Sequence, residues 1–129
     1  MIKIRTVVAH NNEEIRNIIV NSISNLEYVE VVGTATDGIE TYNKIVELKP
    51  EIVFSEYNYS NMPGLELMKK TKEKLQDNFP SFNTIGEIPD NELLEAIHIT
   101  GNKINAFVSQ PYDGSAKNII KAYKEYKYN

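Results

Sequence analysis

The sequence predicts an α/β protein built on a doubly wound, five-stranded parallel sheet with helices on both faces. Three observations lead there. Strand-like apolar segments and helix-like amphipathic segments alternate five times along the 129 residues, a pattern that implies parallel strands joined by helical crossovers. Ile52-Val53-Phe54 is an unbroken apolar run, as expected of a central strand buried on both faces. The chain has no cysteine, so no disulfide or thiolate metal site supports it, and a single domain of this length buries roughly two-thirds of its unfolded surface in a core of its own.

Each element has its own signal. Ile4 to Ala9 reads as the first strand. Asn11 or Asn12 caps a helix from Glu13, whose first two acidic residues suit the positive end of the helix dipole. Ile15, Ile18, Ile19, Ile23 and Leu26 form its apolar stripe. Val29, Val31, Val32 and Ala35 make the second strand, ended by the turn signal Asp37-Gly38. Ile39, Tyr42, Ile45, Val46 and Leu48 lie at helical spacing up to Pro50, which stops the helix. The third strand, Ile52 to Phe54, halts at Glu56. A helix then runs from about Gly64 to Leu75. Phe82 to Ile85 is the fourth strand. Asp90 caps a helix carrying Leu93, Leu94, Ile97 and Ile99 and closed by Gly101. Ala106-Phe107-Val108 is the fifth strand, and Asp113 caps the last helix, with Ile119, Ile120 and Tyr123 inward.

Composition narrows the function. A net charge of −4 argues against nucleic-acid binding by this domain alone. No apolar run approaches the ~20 residues of a membrane span, and Met1 to Arg5 lead into a strand without a signal-peptide pattern. The expected location is the cytoplasm, with no membrane partner. After the first strand, His10-Asn11-Asn12-Glu13-Glu14 is bulky and acidic, unlike a phosphate-cradling loop, which sets aside a flavin or nucleotide binder. His98 falls on the fourth helix, far from His10 in this topology, so a two-histidine metal site is not expected.

The end of the third strand carries the functional signal. A carboxylate at the carboxyl end of a buried parallel strand lies where open α/β sheets put their chemistry. Lys49-Pro50-Glu51-Ile52-Val53-Phe54-Ser55-Glu56, followed by Met62-Pro63-Gly64-Leu65-Glu66-Leu67, resembles the receiver domain of two-component response regulators. The likeness covers essentially the whole chain and includes Asp37-Gly38 and Ala106 to Pro111. It implies the flavodoxin-like strand order 2-1-3-4-5. In that family the third strand ends in a phospho-accepting aspartate, which holds magnesium together with an acidic pair after the first strand. A hydroxyl after the fourth strand and a lysine after the fifth contact the phosphoryl group, and an aromatic residue in the fifth strand reports the change.

Carried onto this chain, the acceptor position is Glu56 and the acidic pair is His10 and Asn11. The hydroxyl position falls between Thr84 and Gly86: it is Ile85, or Thr84 if the strand register slips. The lysine position is Gln110, and the aromatic is Phe107. Gln110-Pro111 matches the family's Lys-Pro step, which marks Pro111 as a candidate cis proline. Ser60 stands at the loop proline and Gly64 at the loop glycine. Tyr57 and Tyr59 either line a recognition surface or cover the loop.

These replacements make the chain resemble a degenerate pseudo-receiver. Magnesium prefers oxygen ligands, and only Glu56 supplies a carboxylate, so binding is expected to be weak or absent. The expectation is a regulatory domain without catalytic residues, not an enzyme, acting in signal transduction or transcription regulation by protein contacts. Those contacts would run to a protein partner or a second copy through the fourth helix, fifth strand and fifth helix, with the domain acting either alone or as the regulatory half of a longer chain in which an effector domain follows Asn129. The alternative is a working receiver that accepts phosphate on Glu56 from a histidine kinase. Glu56 itself has two readings, a fixed charge mimicking the phosphorylated state or a structural remnant.

Overall fold

The computed structural model describes residues 2–101, 103–108 and 114–128, with 105–108 described through the backbone. The elements are β1 (Ile4–Ala9), α1 (Glu13–Ser24), β2 (Val29–Ala35), α2 (Gly38–Leu48), β3 (Ile52–Glu56), α3 (Gly64–Leu75), β4 (Ser81–Ile85), α4 (Asp90–Thr100), β5 (Ile104–Val108) and α5 (Ser115–Tyr128), with a 3-10 turn at Gln76–Asn78. The strands are parallel in the order β2-β1-β3-β4-β5. β1 and β3 pair from Thr6↔Ile52 to Ala9↔Ser55, and β3 and β4 pair from Ile52↔Ser81 to Glu56↔Ile85 without a shift. β5 meets β4 with an irregularity between Asn83 and Ile85.

Strand alternation divides the core into two layers. Val7, Ala9, Val53 and Phe82 pack with Ile45 of α2, Leu67 and Met68 of α3, and Ala96 of α4. Ile4, Val8, Ile52 and Phe54 pack on the other face with Ile19 and Ile23 of α1 and Ile120 of α5. Phe54 and Val53, adjacent in sequence, are both fully buried because each serves a different face. No helix among the described residues is long and apolar enough to cross a membrane.

Local capping explains where helices start. Asn12 caps α1, its side-chain oxygen accepting from the Ile15 N–H at 3.0 Å. Asp37 is more than a turn residue. It caps α2 by accepting from the Glu40 N–H at 2.8 Å, a bond that also holds its carboxyl below the ordinary carboxylate range. Asp90 does not cap α4. Pro89 occupies the cap position without a side-chain bond, and Asp90 is the first helical residue. Asp113 lies outside the described residues.

The apolar stripes need three corrections. Ile18 and Ile39 face outward, 41% and 48% exposed, because α1 and α2 each turn one edge of a wide stripe past the sheet. On α4 the departure is larger. Leu94 is 82% exposed and Leu93 39%, while the residues buried are Ala96 and Thr100. The helix lies close to α3 and the sheet through small side chains, which rotates its leucines to the outside.

Candidate functional site

The carboxyl ends of β1, β3 and β4 place four of the residues read from the sequence side by side, Glu56, His10, Asn11 and Ile85. Glu56 closes β3 with its side chain one-fifth exposed. Its Oε1 accepts the backbone N–H of Asn11 at 2.9 Å. His10 Nδ1 stands 3.8 Å from the same oxygen. The register puts Ile85 directly beside Glu56. Ile85 is buried in the layer that contains Phe54, whereas Thr84 alternates to the opposite face and donates its hydroxyl to the Gly86 carbonyl at 3.0 Å. An unslipped β3–β4 register therefore leaves an isoleucine, not a hydroxyl, next to the carboxylate.

His10 is buried, and its Nδ1 accepts the Asn12 N–H at 3.0 Å. An acceptor nitrogen belongs to the neutral imidazole. Burial lowers the His10 pKa from its ordinary value, Glu56 opposes this, and Arg16 adds to it. Arg16 reaches across to donate to the His10 carbonyl at 2.8 Å. The β1–α1 turn is thus closed by three bonds, to Glu56, to the His10 ring and to the His10 carbonyl.

Among the described residues read as the site, the donor set is one carboxylate, one imidazole and one carboxamide, from Glu56, His10 and Asn11. A magnesium ion, which prefers hard oxygen ligands and commonly one or two carboxylates, does not fit it well, and one oxygen of the carboxylate is already engaged by Asn11. Gln110 and Pro111 lie outside the described residues, as does the geometry of their peptide bond. Phe107 lies in β5 and is described through its backbone alone.

The loop from β3 to α3 adds residues that sequence reasoning did not assign. Asn58 accepts the Gly64 N–H at 2.7 Å, and Asn61 accepts the Gly38 N–H at 3.0 Å. One loop thereby serves the N-termini of both α3 and α2. Tyr59 and Met62 exchange backbone bonds at 3.2 Å. Buried Ser55 shares a 2.7 Å hydrogen bond with the Tyr59 hydroxyl, and burial pushes the Tyr59 pKa up to about 12. Tyr57 donates to Glu92 of α4 at 2.7 Å. Burial first, then that carboxylate, raises the Tyr57 pKa. Both tyrosines belong to the core at 4% and 6% exposure, so they cover the loop and do not form a recognition surface. The signal for this was available in part: two asparagines precede a glycine-started helix in Asn58 to Gly64. The partner of each was not.

At the opposite end of the strands lies a groove of about 1450 Å³ lined by Pro50, Phe79, Pro80, Tyr123 and Tyr126 among others. It does not include Glu56.

No protein-family model matches the chain. It is 32% identical over 77 residues to a protein-glutamate methylesterase/protein-glutamine glutaminase of Methanospirillum hungatei, which covers 60% of this chain and 22% of that protein. A protein of the same name from Thermotoga maritima is 26% identical over 109 residues, 84% of this chain and 31% of its own length. The chain thus spans less than a third of these curated relatives. Among solved structures, the response regulator domain of Thermotoga maritima CheB superposes with a TM-score of 0.78 at 21% identity, over 95% of each chain. The receiver domain of AraT from Geobacillus stearothermophilus gives 0.76 at 26% identity, over 98% of this chain and 95% of that one. These names correct one expectation. The expectation that the chain is not an enzyme does not stand, because the curated relatives are named as enzymes, although the match covers only a part of each. The chain therefore has the receiver-domain fold, the fold of the response-regulator domains it superposes on.

Proposed function

We propose that this segment is a degenerate receiver: a regulatory domain that acts through protein contacts and is not switched by phosphorylation of Glu56. The observation that carries this reading is the occupation of the acceptor rim. Glu56 is bonded by the Asn11 N–H and flanked by the His10 imidazole and by Ile85. Phosphoryl transfer depends on positioning and on neutralising charge on the transferring group. Here His10 and Asn11, at the acidic-pair positions, offer no carboxylate to recruit magnesium, and Ile85, beside Glu56 on β4, offers no hydroxyl. Moving a two-state population from 1:99 to 99:1 needs roughly 5.5 kcal/mol of differential interaction, and a phosphorylated Glu56 would meet few groups able to supply it. Magnesium binding is accordingly weak or absent.

The relatives' names support a context. A receiver segment of this type would regulate a methylesterase or glutaminase activity carried by the same protein or by a partner. The contact face would be α4, β5 and α5, where Leu93 and Leu94 are exposed. Cytoplasmic two-component signalling is the setting that goes with this reading.

The test is incubation with acetyl phosphate and magnesium, followed by the intact mass. No phosphoryl adduct is expected, and beryllofluoride is expected to leave the amide spectrum unchanged. A stoichiometric adduct on Glu56 would replace this reading with a working receiver.

A further inference from the structure

We propose that Tyr57 is the positioning residue for α4: its hydroxyl, bonded to Glu92, holds the helix in one orientation and so fixes the face that carries Leu93 and Leu94. This deepens the proposed function, on which it rests, by naming what keeps the contact face set when no phosphoryl group is there to set it.

α4 has little apolar surface anchoring its first half. Its fully buried side chains are Ala96 and Thr100, and Thr100 spends its hydroxyl on the helix's own Ala96 carbonyl at 2.9 Å. Ile99 packs partly buried on the core from the second half of the helix, so the first half has little apolar area with which to fix its rotation. No side chain caps its N-terminus. The first half of the helix is instead tied by two polar contacts. Tyr57 Oη donates to Glu92 Oε1 at 2.7 Å, and Lys69 of α3 pairs with Glu95 at 3.0 Å. The second pair has both side chains about half exposed, and pairs of that kind add little. The first is partly buried and charge-assisted, the stronger class of hydrogen bond.

Tyr57 is itself rigidly held. It follows the last residue of β3 and is 4% exposed. A Cβ added at Gly64 would lie 2.4 Å from the Tyr57 carbonyl oxygen and 2.6 Å from its ring Cε1. The glycine at the start of α3 therefore opens the space in which the ring lies. Gly64 places the ring, the ring places the hydroxyl, and the hydroxyl meets Glu92 in the first turn of α4. The strut starts one residue beyond Glu56, so the candidate site and α4 share a rigid connection. Because Glu92 and Leu93 are neighbours on the helix, holding the first sets the direction of the second.

The experiment compares amide hydrogen exchange in wild type, Tyr57→Phe and Glu92→Ala. Tyr57→Phe keeps the ring beside Gly64 and removes only the hydroxyl. Exchange across 90–100 is expected to rise about ten-fold in both variants, the scale of one charge-assisted bond, while α1 and α2 keep their wild-type rates. Glu92→Gln retains an acceptor and is expected to recover most of the protection. Unchanged exchange in α4, or an equal rise in every helix as from general destabilisation, would overturn the proposal. Acetyl phosphate treatment of the wild type separates the two ideas: an adduct on Glu56 defeats the phosphate-independent reading whatever α4 does, and a silent Tyr57→Phe defeats the strut with that reading intact.

Discussion

At the scale of single residues, His10 and Gly64 are tightly constrained positions near the candidate site. His10 is buried and accepts the Asn12 N–H through Nδ1, and burial depresses its pKa below the ordinary 6.5. The folded protein thus holds this proton less tightly than the unfolded chain, and acid favours unfolding through it. Its contribution to stability is full above 6.5 and is lost as the pH falls below that value toward the depressed one. Melting temperatures measured between pH 7 and pH 5 are expected to fall more steeply for wild type than for His10→Gln; parallel curves would show that His10 does not contribute in this way. Gly64→Ala is expected to destabilise by about 2 kcal/mol or more, because its Cβ would sit 2.4 Å from the Tyr57 carbonyl oxygen, an overlap that only backbone movement relieves. Urea denaturation measures this, and a loss under about 0.5 kcal/mol would mean that the loop shifts freely.

At the scale of elements, α4 shows how a helix can carry a good apolar stripe and still not bury it. Leucines 93 and 94 mark the helix in the sequence, yet the residues it buries fully are Ala96 and Thr100, with Ile99 partly buried against the core. Leu94→Gln is therefore expected to change folding stability by no more than about 0.5 kcal/mol, the range of surface substitutions. If α4 belongs to a contact face, the same variant should weaken self-association or partner capture. Light scattering over a concentration series reads the first effect. A large loss of stability would instead mean that Leu94 is covered within the folded chain.

For the whole molecule, the sheet separates two cores that share strands but not side-chain layers. Ile45 of α2 belongs to one and Ile120 of α5 to the other, and both are fully buried. Each Ile→Val change is expected to cost about 0.5–1.5 kcal/mol, and the pair together should add within about 0.5 kcal/mol, as distant sites do. Chemical denaturation of the two single variants and the double variant tests this. A clearly non-additive result would show strain passing through the sheet.

The order and type of the elements were readable from the sequence because they depend on local patterning. Apolar runs of strand length, helical spacing from Ile15 to Ile23, Pro50 as a stop and Gly101 as a close are properties of neighbours along the chain. The position of Glu56 was readable for the same reason, since a strand that ends in a carboxylate announces where its rim lies. The tertiary structure decided what depends on atoms distant in sequence. It made Ile85 and not Thr84 the neighbour of Glu56, because register is a property of two strands and a one-residue slip would turn every side chain to the other face. It gave the Asn11 N–H to Glu56, across 45 residues of chain. It turned Leu94 outward against its place in the apolar stripe, because α4 packs inward through Ala96, Thr100 and the partly buried Ile99, and it chose the inward of the two readings of Tyr57, for whose ring Gly64 leaves room. Residue type sets what a side chain can do, and the packing of elements remote in sequence sets which partner it finds.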